Sequence, residues 1–248
     1  LLYLGVSGDG DSASIGLGQF ANAMRRGVNM AYIVENNGVY GLTKGQFSAT
    51  ADRGSRSKKG IINNDSPVDL VGLALQLGAT YVARSFSGDK EQLVPLIKGA
   101  IGHGGAAFID VISPCVTFNN HAGSTNSYDY VRQHNEAVSR IDFMPQHSEI
   151  TAQCAPGEAI DVQQHDGSVL RLRKLHEGYD PTDRYAALSY MNAHHARGEV
   201  VTGLLYLDPV ATDLHLSLNT SDTPLNALGA AQLCPGSRAL EKINASLR

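Results

Sequence analysis

Short apolar runs and stretches of helical periodicity take turns along the first half of the chain. LLYLGV (1–6) and VNMAYIVEN (28–36) are compact apolar runs that read as buried strands. Between them Ile15, Phe20, Ala21 and Met24 recur near the helical period and Gly27 can close the segment, so a helix is expected from about Ser12 to Arg26. The rhythm then repeats. Asp69 caps a helix in DLVGLALQLG that ends at Gly78, ATYVARSF is a strand, Asp89 opens a helix to about His103, and AAFIDVIS (106–113) is a strand. This succession predicts an α/β fold: an open, mostly parallel twisted sheet with helices on both faces and right-handed crossovers.

The rhythm breaks in two places. From Val39 to Asp65 there is little periodicity, and a structureless stretch of that length inside a compact domain is usually functional or mobile. After Pro114, CVTFNNHAGSTNSYDY reads as a loop. EAIDVQQHDGSVLRLRKL then alternates on either side of Asp166-Gly167, a hairpin signal. A helix over roughly 181–197 and a strand in EVVTGLLYLD follow, and the last 25 or so residues read as a surface tail. The expected division is a sheet domain over 1–145 and a C-terminal extension with hairpin and helix over 146–248.

Composition narrows the function classes. A chain of 248 residues with 42% hydrophobic and 18% charged residues is ordinary for a globular protein. Its net charge of -4, with no long run of one sign, gives no case for nucleic-acid binding. Its apolar runs fall well short of the roughly 20 residues that a membrane helix needs. The chain opens at Leu1 inside an apolar run, so it is read as a fragment whose natural N-terminus lies upstream. Cys115, Cys154 and Cys234 are widely spaced and odd in number, which argues against a disulfide framework and for a cytoplasmic setting.

Chemistry concentrates in SGDGDSASIGLG (7–18), where the first strand gives way to the first helix. In an open parallel sheet ligands bind at such junctions. Gly8 and Gly10 let the backbone approach a phosphate, and a helix N-terminus offers free N–H groups. Asp9 would repel that phosphate unless a divalent cation stands between them, and Mg²⁺ can bridge the two. The neighbouring strand ends in Asn36-Asn37-Gly38-Val39, and 25 residues separate Gly10 from Asn36, enough for one helix and one strand. An Asn37 oxygen and a nearby backbone carbonyl can therefore complete the coordination. Taken alone, GDGD is equally a tight turn.

GDG followed at that distance by NN resembles the diphosphate-binding motif of thiamine diphosphate enzymes. The longer string GDGDSASIGLGQFANAMRRGVNMAYIVENNGVYGLTKGQ, with SPCVTFNNH further on, is similar to the beta subunit of 2-oxoacid:ferredoxin oxidoreductases, the 2-oxoglutarate type above all. The resemblance implies Mg²⁺ ligation by Asp9, Asn37 and the carbonyl of Val39, and a diphosphate held by backbone groups of Gly8, Gly10 and Asp11. It implies that Leu42 and Lys44 line the reacting centre, with Thr43 and Gln46 shaping the same cofactor-binding loop. Lys44 is suited to pair with the substrate carboxylate or with coenzyme A. It further implies a [4Fe-4S] cluster in the intact subunit, with Cys115 as fourth ligand and the other three in an upstream region this chain lacks. The implied partners are an alpha subunit that supplies the glutamate activating the aminopyrimidine, ferredoxin, a 2-oxoacid and coenzyme A; nucleic acid and membrane are not among them. The expected activity is oxidative decarboxylation of 2-oxoglutarate to succinyl-CoA, with electrons passed through the cluster to ferredoxin. The alternatives are pyruvate or a branched-chain 2-oxoacid as substrate, another thiamine diphosphate-dependent decarboxylase, and a non-catalytic nucleotide-binding module.

Overall fold

The structure is a computed structural model that describes residues 3–43, 45–55, 60–113, 150–163, 169–234 and 236–247. In chain order the elements are β1 (Tyr3–Gly8), α1 (Leu17–Arg25), β2 (Met30–Asn36), β3 (Val39–Tyr40), β4 (Gln46–Phe47), α2 (Leu70–Leu77) and β5 (Tyr81–Phe86). Then come α3 (Lys90–Gly102), β6 (Ala106–Ile112), β7 (Ala159–Gln163), β8 (Val169–Lys174), α4 (Arg184–His195), β9 (Glu199–Leu207) and the short α5 (Leu214–Ser217). Seven strands form one sheet in the order β1-β2-β6-β5-β9-β8-β7. β1, β2, β6 and β5 run parallel, β9 is antiparallel to β5 and parallel to β8, and β7 is antiparallel to β8. The sheet is therefore mostly parallel, as its sequence rhythm predicts.

Alternation along the strands divides the core. Val34, Val82, Phe108 and Leu205 share one buried cluster with Phe20 and Met24 of α1, Leu70 and Leu75 of α2 and Met191 of α4. Ala31, Ile33, Ala83 and Ile109 pack instead with Leu96 and Ala100 of α3. Both faces are thus covered, which is why β6 reads as an almost unbroken apolar run. Each large side chain fully buried in this way contributes about 1.5–3 kcal/mol.

The helices start where short acceptors precede them. Asp69 Oδ1 accepts from the Val71 N–H at 3.2 Å, Asp89 Oδ1 from Gln92 at 3.0 Å, and Asp183 Oδ1 from Tyr185 and Ala186 at 2.9 and 3.0 Å. Gly78, at φ +95°, ends α2 in the left-handed conformation. With Asp183 as cap, the last helix of the sheet unit starts at Arg184, not at 181. Among the described residues no helix is long and apolar enough to cross a membrane.

Two elements differ from the sequence expectation. β1 runs on to Gly8, and residues 10–15 form one wide helical turn before α1, closed by the Gly16 N–H on the Asp11 carbonyl at 2.6 Å. Gly16 makes that turn possible, because a Cβ there would lie 2.6 Å from the same carbonyl oxygen. The aperiodic region after Val39 holds the small β3–β4 hairpin. The expected hairpin is present as β7 and β8, with Gln163 opposite Val169; its turn residues Asp166 and Gly167 lie outside the described residues. An ion-pair group braces β8, α4 and β9: Arg173 binds both carboxylate oxygens of Glu199 at 2.6 and 2.7 Å, and His194 Nδ1 lies 2.6 Å from Glu199 Oε2. Residues 1–214 form one compact unit, and residues 215–248 form a second.

Candidate functional site

β1 and β2 are parallel neighbours, and Gly8 stands opposite Glu35 in the register. The two strands therefore end side by side, and Asp9 and Asn36–Asn37 leave the sheet at the same carboxyl edge. β6 ends there too: Asn36 pairs with Ile112, and the Ser113 N–H donates to the Asn36 carbonyl at 2.8 Å. This is the place where an open parallel sheet binds ligands.

Asp9 sits at the centre of this edge and is only 1% exposed. Its side chain does not cap the turn that it opens. The carboxylate points instead toward the Asn37-Gly38 turn, which leaves the first N–H groups of the 10–15 turn without a side-chain cap from this residue. Oδ2 accepts from the Gly38 N–H at 3.1 Å, from Thr50 Oγ1 at 2.5 Å and from Ser48 Oγ. Oδ1 accepts from the Asn37 N–H at 3.4 Å. Gly38 has φ +75°, the left-handed geometry that glycine adopts without strain, and so the turn can present both N–H groups to one carboxylate. A buried carboxylate is tolerable only with such donors.

A second layer of polar groups lies beneath. Thr50 Oγ1 is 3.0 Å from Asn36 Oδ1, and Asn36 Nδ2 donates to Asp110 Oδ1 at 3.1 Å. Arg84 Nε donates to Asp110 Oδ2 at 2.7 Å, and Arg84 Nη2 to Asp69 Oδ1 at 2.8 Å. Burial pushes the Asp110 carboxyl above its ordinary range, against the opposing pull of Arg84 and Asn36. Behind the glycine loop, the hydroxyls of Ser7, Ser12 and Tyr32 lie within 2.5–2.9 Å of one another and tie the turn to β1 and β2.

The sequence-predicted residues separate into two groups. Gly8, Asp9, Gly10, Asn37 and Val39 come together. A Cβ on Gly8 would meet only Asp11 Oδ2, at 3.7 Å, so the space above this residue is open. A Cβ on Gly10 would lie 2.6 Å from the Tyr40 ring, whose hydroxyl donates to the Gly10 carbonyl at 3.0 Å. Asn37 Oδ1 accepts from the Val39 N–H at 3.1 Å. Val39 faces Phe47, and the Ser48 N–H donates to the Gly38 carbonyl, one step before that pair. In such a ladder the N–H and C=O of Val39 both point away from β4, toward the side where Asn37 Oδ1 lies. Asp11 is exposed, with its carbonyl closing the wide turn. Leu42 and Thr43 belong to the β3–β4 turn, where Leu42 is 94% exposed and Thr43 Oγ1 donates to Gln46 Oε1 at 3.0 Å. Lys44 and Cys115 lie outside the described residues.

The oxygens of Asp9, Asn37 and Val39 are hard donors with a single carboxylate among them. That suits Mg²⁺, which is usually held by one or two carboxylates plus phosphate oxygens and water. The uncapped turn at Gly10 and the open space over Gly8 suit the phosphates. Ser48 and Thr50 are the residues that sequence reasoning did not single out, since they carry no periodic or motif signal.

Residues 3–111 match the family described as thiamine pyrophosphate enzyme, C-terminal TPP binding domain, a match that runs from β1 into β6 and so takes in this loop and sheet edge. Relatives narrow the class. The chain is 48% identical over 116 residues to the 2-oxoacid:ferredoxin oxidoreductase subunit beta of Saccharolobus solfataricus, covering 46% of this chain and 37% of that subunit. It is 32% identical over 176 residues to the 2-oxoglutarate synthase subunit KorB of Methanocaldococcus jannaschii, covering 69% and 64%. The solved 2-oxoglutarate:ferredoxin oxidoreductase from Magnetococcus marinus, with 2-oxoglutarate, coenzyme A and succinyl-CoA bound, superposes with a TM-score of 0.60 at 28% identity, over 88% of this chain and 63% of that one. The chain is thus a relative of the beta subunits of 2-oxoacid:ferredoxin oxidoreductases, and it spans 37% and 64% of the length of the two curated subunits named here.

Proposed function

We infer that this chain is the diphosphate-gripping part of a 2-oxoacid:ferredoxin oxidoreductase that converts 2-oxoglutarate and coenzyme A to succinyl-CoA. The observation that carries the reading is the convergence of Asp9, Asn37 and Val39 at one sheet edge, beside an uncapped helical turn and the open space over Gly8. Thiamine diphosphate, when bound, supplies the electron sink for decarboxylation. This chain's part is to hold it. Asp9, Asn37 and the Val39 carbonyl would take the Mg²⁺, and the N–H groups following Gly8 and Gly10 would take the phosphates. Tyr40, bonded to the Gly10 carbonyl, fixes the loop.

The β3–β4 turn presents Leu42 with almost no cover from its own chain. That exposure favours a pocket completed by another chain, the alpha subunit, which would also bring the activating glutamate. Lys44, which follows Thr43 in the sequence, would pair with a carboxylate of the substrate or with coenzyme A. Cys115, two residues past Ser113 at this edge, would be the fourth ligand of a [4Fe-4S] cluster that sends electrons to ferredoxin. Cytoplasmic placement goes with the same reading, on the wide spacing of the three cysteines. The names of the Methanocaldococcus and Magnetococcus proteins support 2-oxoglutarate as the substrate, while the more similar Saccharolobus subunit is named for 2-oxoacids in general.

The test is an electron-acceptor assay on the full-length protein assembled with its larger partner chain. Reduction that requires both 2-oxoglutarate and coenzyme A is the expected result. Reduction with pyruvate alone would correct the substrate, and no turnover of any 2-oxoacid would remove the function.

A further inference from the structure

Ser48 and Thr50 come from the aperiodic loop, yet both hydroxyls converge on one atom, Asp9 Oδ2. The Gly38 N–H adds a third donor to that atom at 3.1 Å. A carboxylate oxygen has about two lone-pair directions, so three donors fill it. Oδ1 receives the Asn37 N–H at 3.4 Å, a long contact that leaves acceptor capacity. The two oxygens of one carboxylate are thereby made unequal.

The inequality is built into the fold. Asp110 is a pure acceptor, so it takes the Asn36 Nδ2 and turns Asn36 Oδ1 toward Thr50. The single proton of Thr50 goes to the shorter contact, Asp9, with Asn36 as the alternative acceptor in reach. Ser48 Oγ accepts the Thr50 N–H at 3.3 Å, which fixes the two residues relative to each other with their hydroxyl oxygens 2.9 Å apart.

We propose that Ser48 and Thr50 are positioning residues that confine Asp9 to one-oxygen coordination and so favour Mg²⁺ over Ca²⁺ at this site. The inference rests on the reading of Asp9 as a metal ligand. Mg²⁺ demands a near-ideal octahedron of single oxygens, whereas Ca²⁺ takes more oxygens and accepts both from one carboxylate. Releasing Oδ2 would give the larger ion its second oxygen and would loosen the aim of Oδ1 at the smaller one.

The experiment is a calorimetric titration of thiamine diphosphate into the full-length assembled protein, with Mg²⁺ or Ca²⁺ as the only divalent cation. Wild type is compared with Ser48→Ala, Thr50→Val, the double variant and Thr50→Ser. Loss of such supporting hydrogen bonds typically weakens metal affinity about 10–100-fold. The double variant should lose Mg²⁺-supported binding to that extent, Ca²⁺-supported binding should fall less or rise, and Thr50→Ser should keep the wild-type ratio. Should the double variant not fold, each single variant, lacking one of three donors, should show a smaller shift in the same direction. An unchanged Mg²⁺:Ca²⁺ ratio in the folded variants overturns the proposal while leaving Asp9 a ligand. A wild-type protein that binds thiamine diphosphate without any divalent cation removes the metal reading and this inference with it.

Discussion

Arg84→Met removes the cation that holds the lower polar layer together while keeping most of the side-chain volume. In the native protein Arg84 is 13% exposed, Asp110 is fully buried, and their contact is 2.7 Å. After the substitution the described partners of Asp110 reduce to Asn36 Nδ2 at 3.1 Å, which leaves a buried carboxylate uncompensated. Breaking a buried pair in this way costs about 3–5 kcal/mol. The Asp69 arm should matter far less, because Asp69 is half exposed, and exposed pairs contribute about 0.2–1 kcal/mol. Asp69→Asn also keeps an oxygen to cap α2. The penalty should depend on pH. Without Arg84 the folded-state value of Asp110 rises further, so the variant's deficit is full near neutrality and shrinks as pH falls toward the carboxylate range and the buried group takes a proton. Urea unfolding at about pH 7 and about pH 4, with a constant slope, reads both effects. Arg84→Met/Asp110→Leu should recover most of the loss, since a buried pair replaced by apolar groups is often neutral. A loss below about 1 kcal/mol for Arg84→Met, or an equal loss at both pH values, would refute the reasoning.

Three further outcomes are expected. Arg173 first and His194 second hold the Glu199 carboxyl down at about 2 from an ordinary 4.5. A depressed folded-state value means that the unfolded chain binds more protons, so stability is lost as pH falls through that window, and Glu199→Gln should remove that part of an acid-unfolding curve. Gly10→Ala puts a Cβ 2.6 Å from the Tyr40 ring, and should displace the ring and weaken thiamine diphosphate binding in a titration more than it lowers the melting temperature. Lys44→Ala should raise the KM for 2-oxoglutarate or coenzyme A with little change in thiamine diphosphate affinity, and a loss of cofactor affinity alone would contradict its role.

Much of this fold can be read from local pattern. Buried parallel strands need apolar faces on both sides, so VNMAYIVEN and AAFIDVIS announce themselves, and Asp69 and Asp89 mark helix starts because their oxygens satisfy free N–H groups. The Asp9–Asn37 pairing is legible for the same reason: a helix-length gap between two parallel strands brings their ends together. The wide turn at 10–15 is not legible, since it depends on Gly16 sitting against the Asp11 carbonyl. Nor is the antiparallel pairing of β9 with β5, which joins residues more than a hundred positions apart. Ser48 and Thr50 stayed hidden because their meaning is a contact across 39 and 41 residues, with no periodicity to signal it.

The most direct measurement is thiamine diphosphate affinity in the full-length assembled protein, with Mg²⁺ and with chelator, for wild type and Asp9→Ala. Binding that needs Mg²⁺ in wild type and disappears in Asp9→Ala is the predicted result. Equal affinity in the two proteins, or binding indifferent to the chelator, would contradict the claim that this carboxylate anchors the cation and the coenzyme.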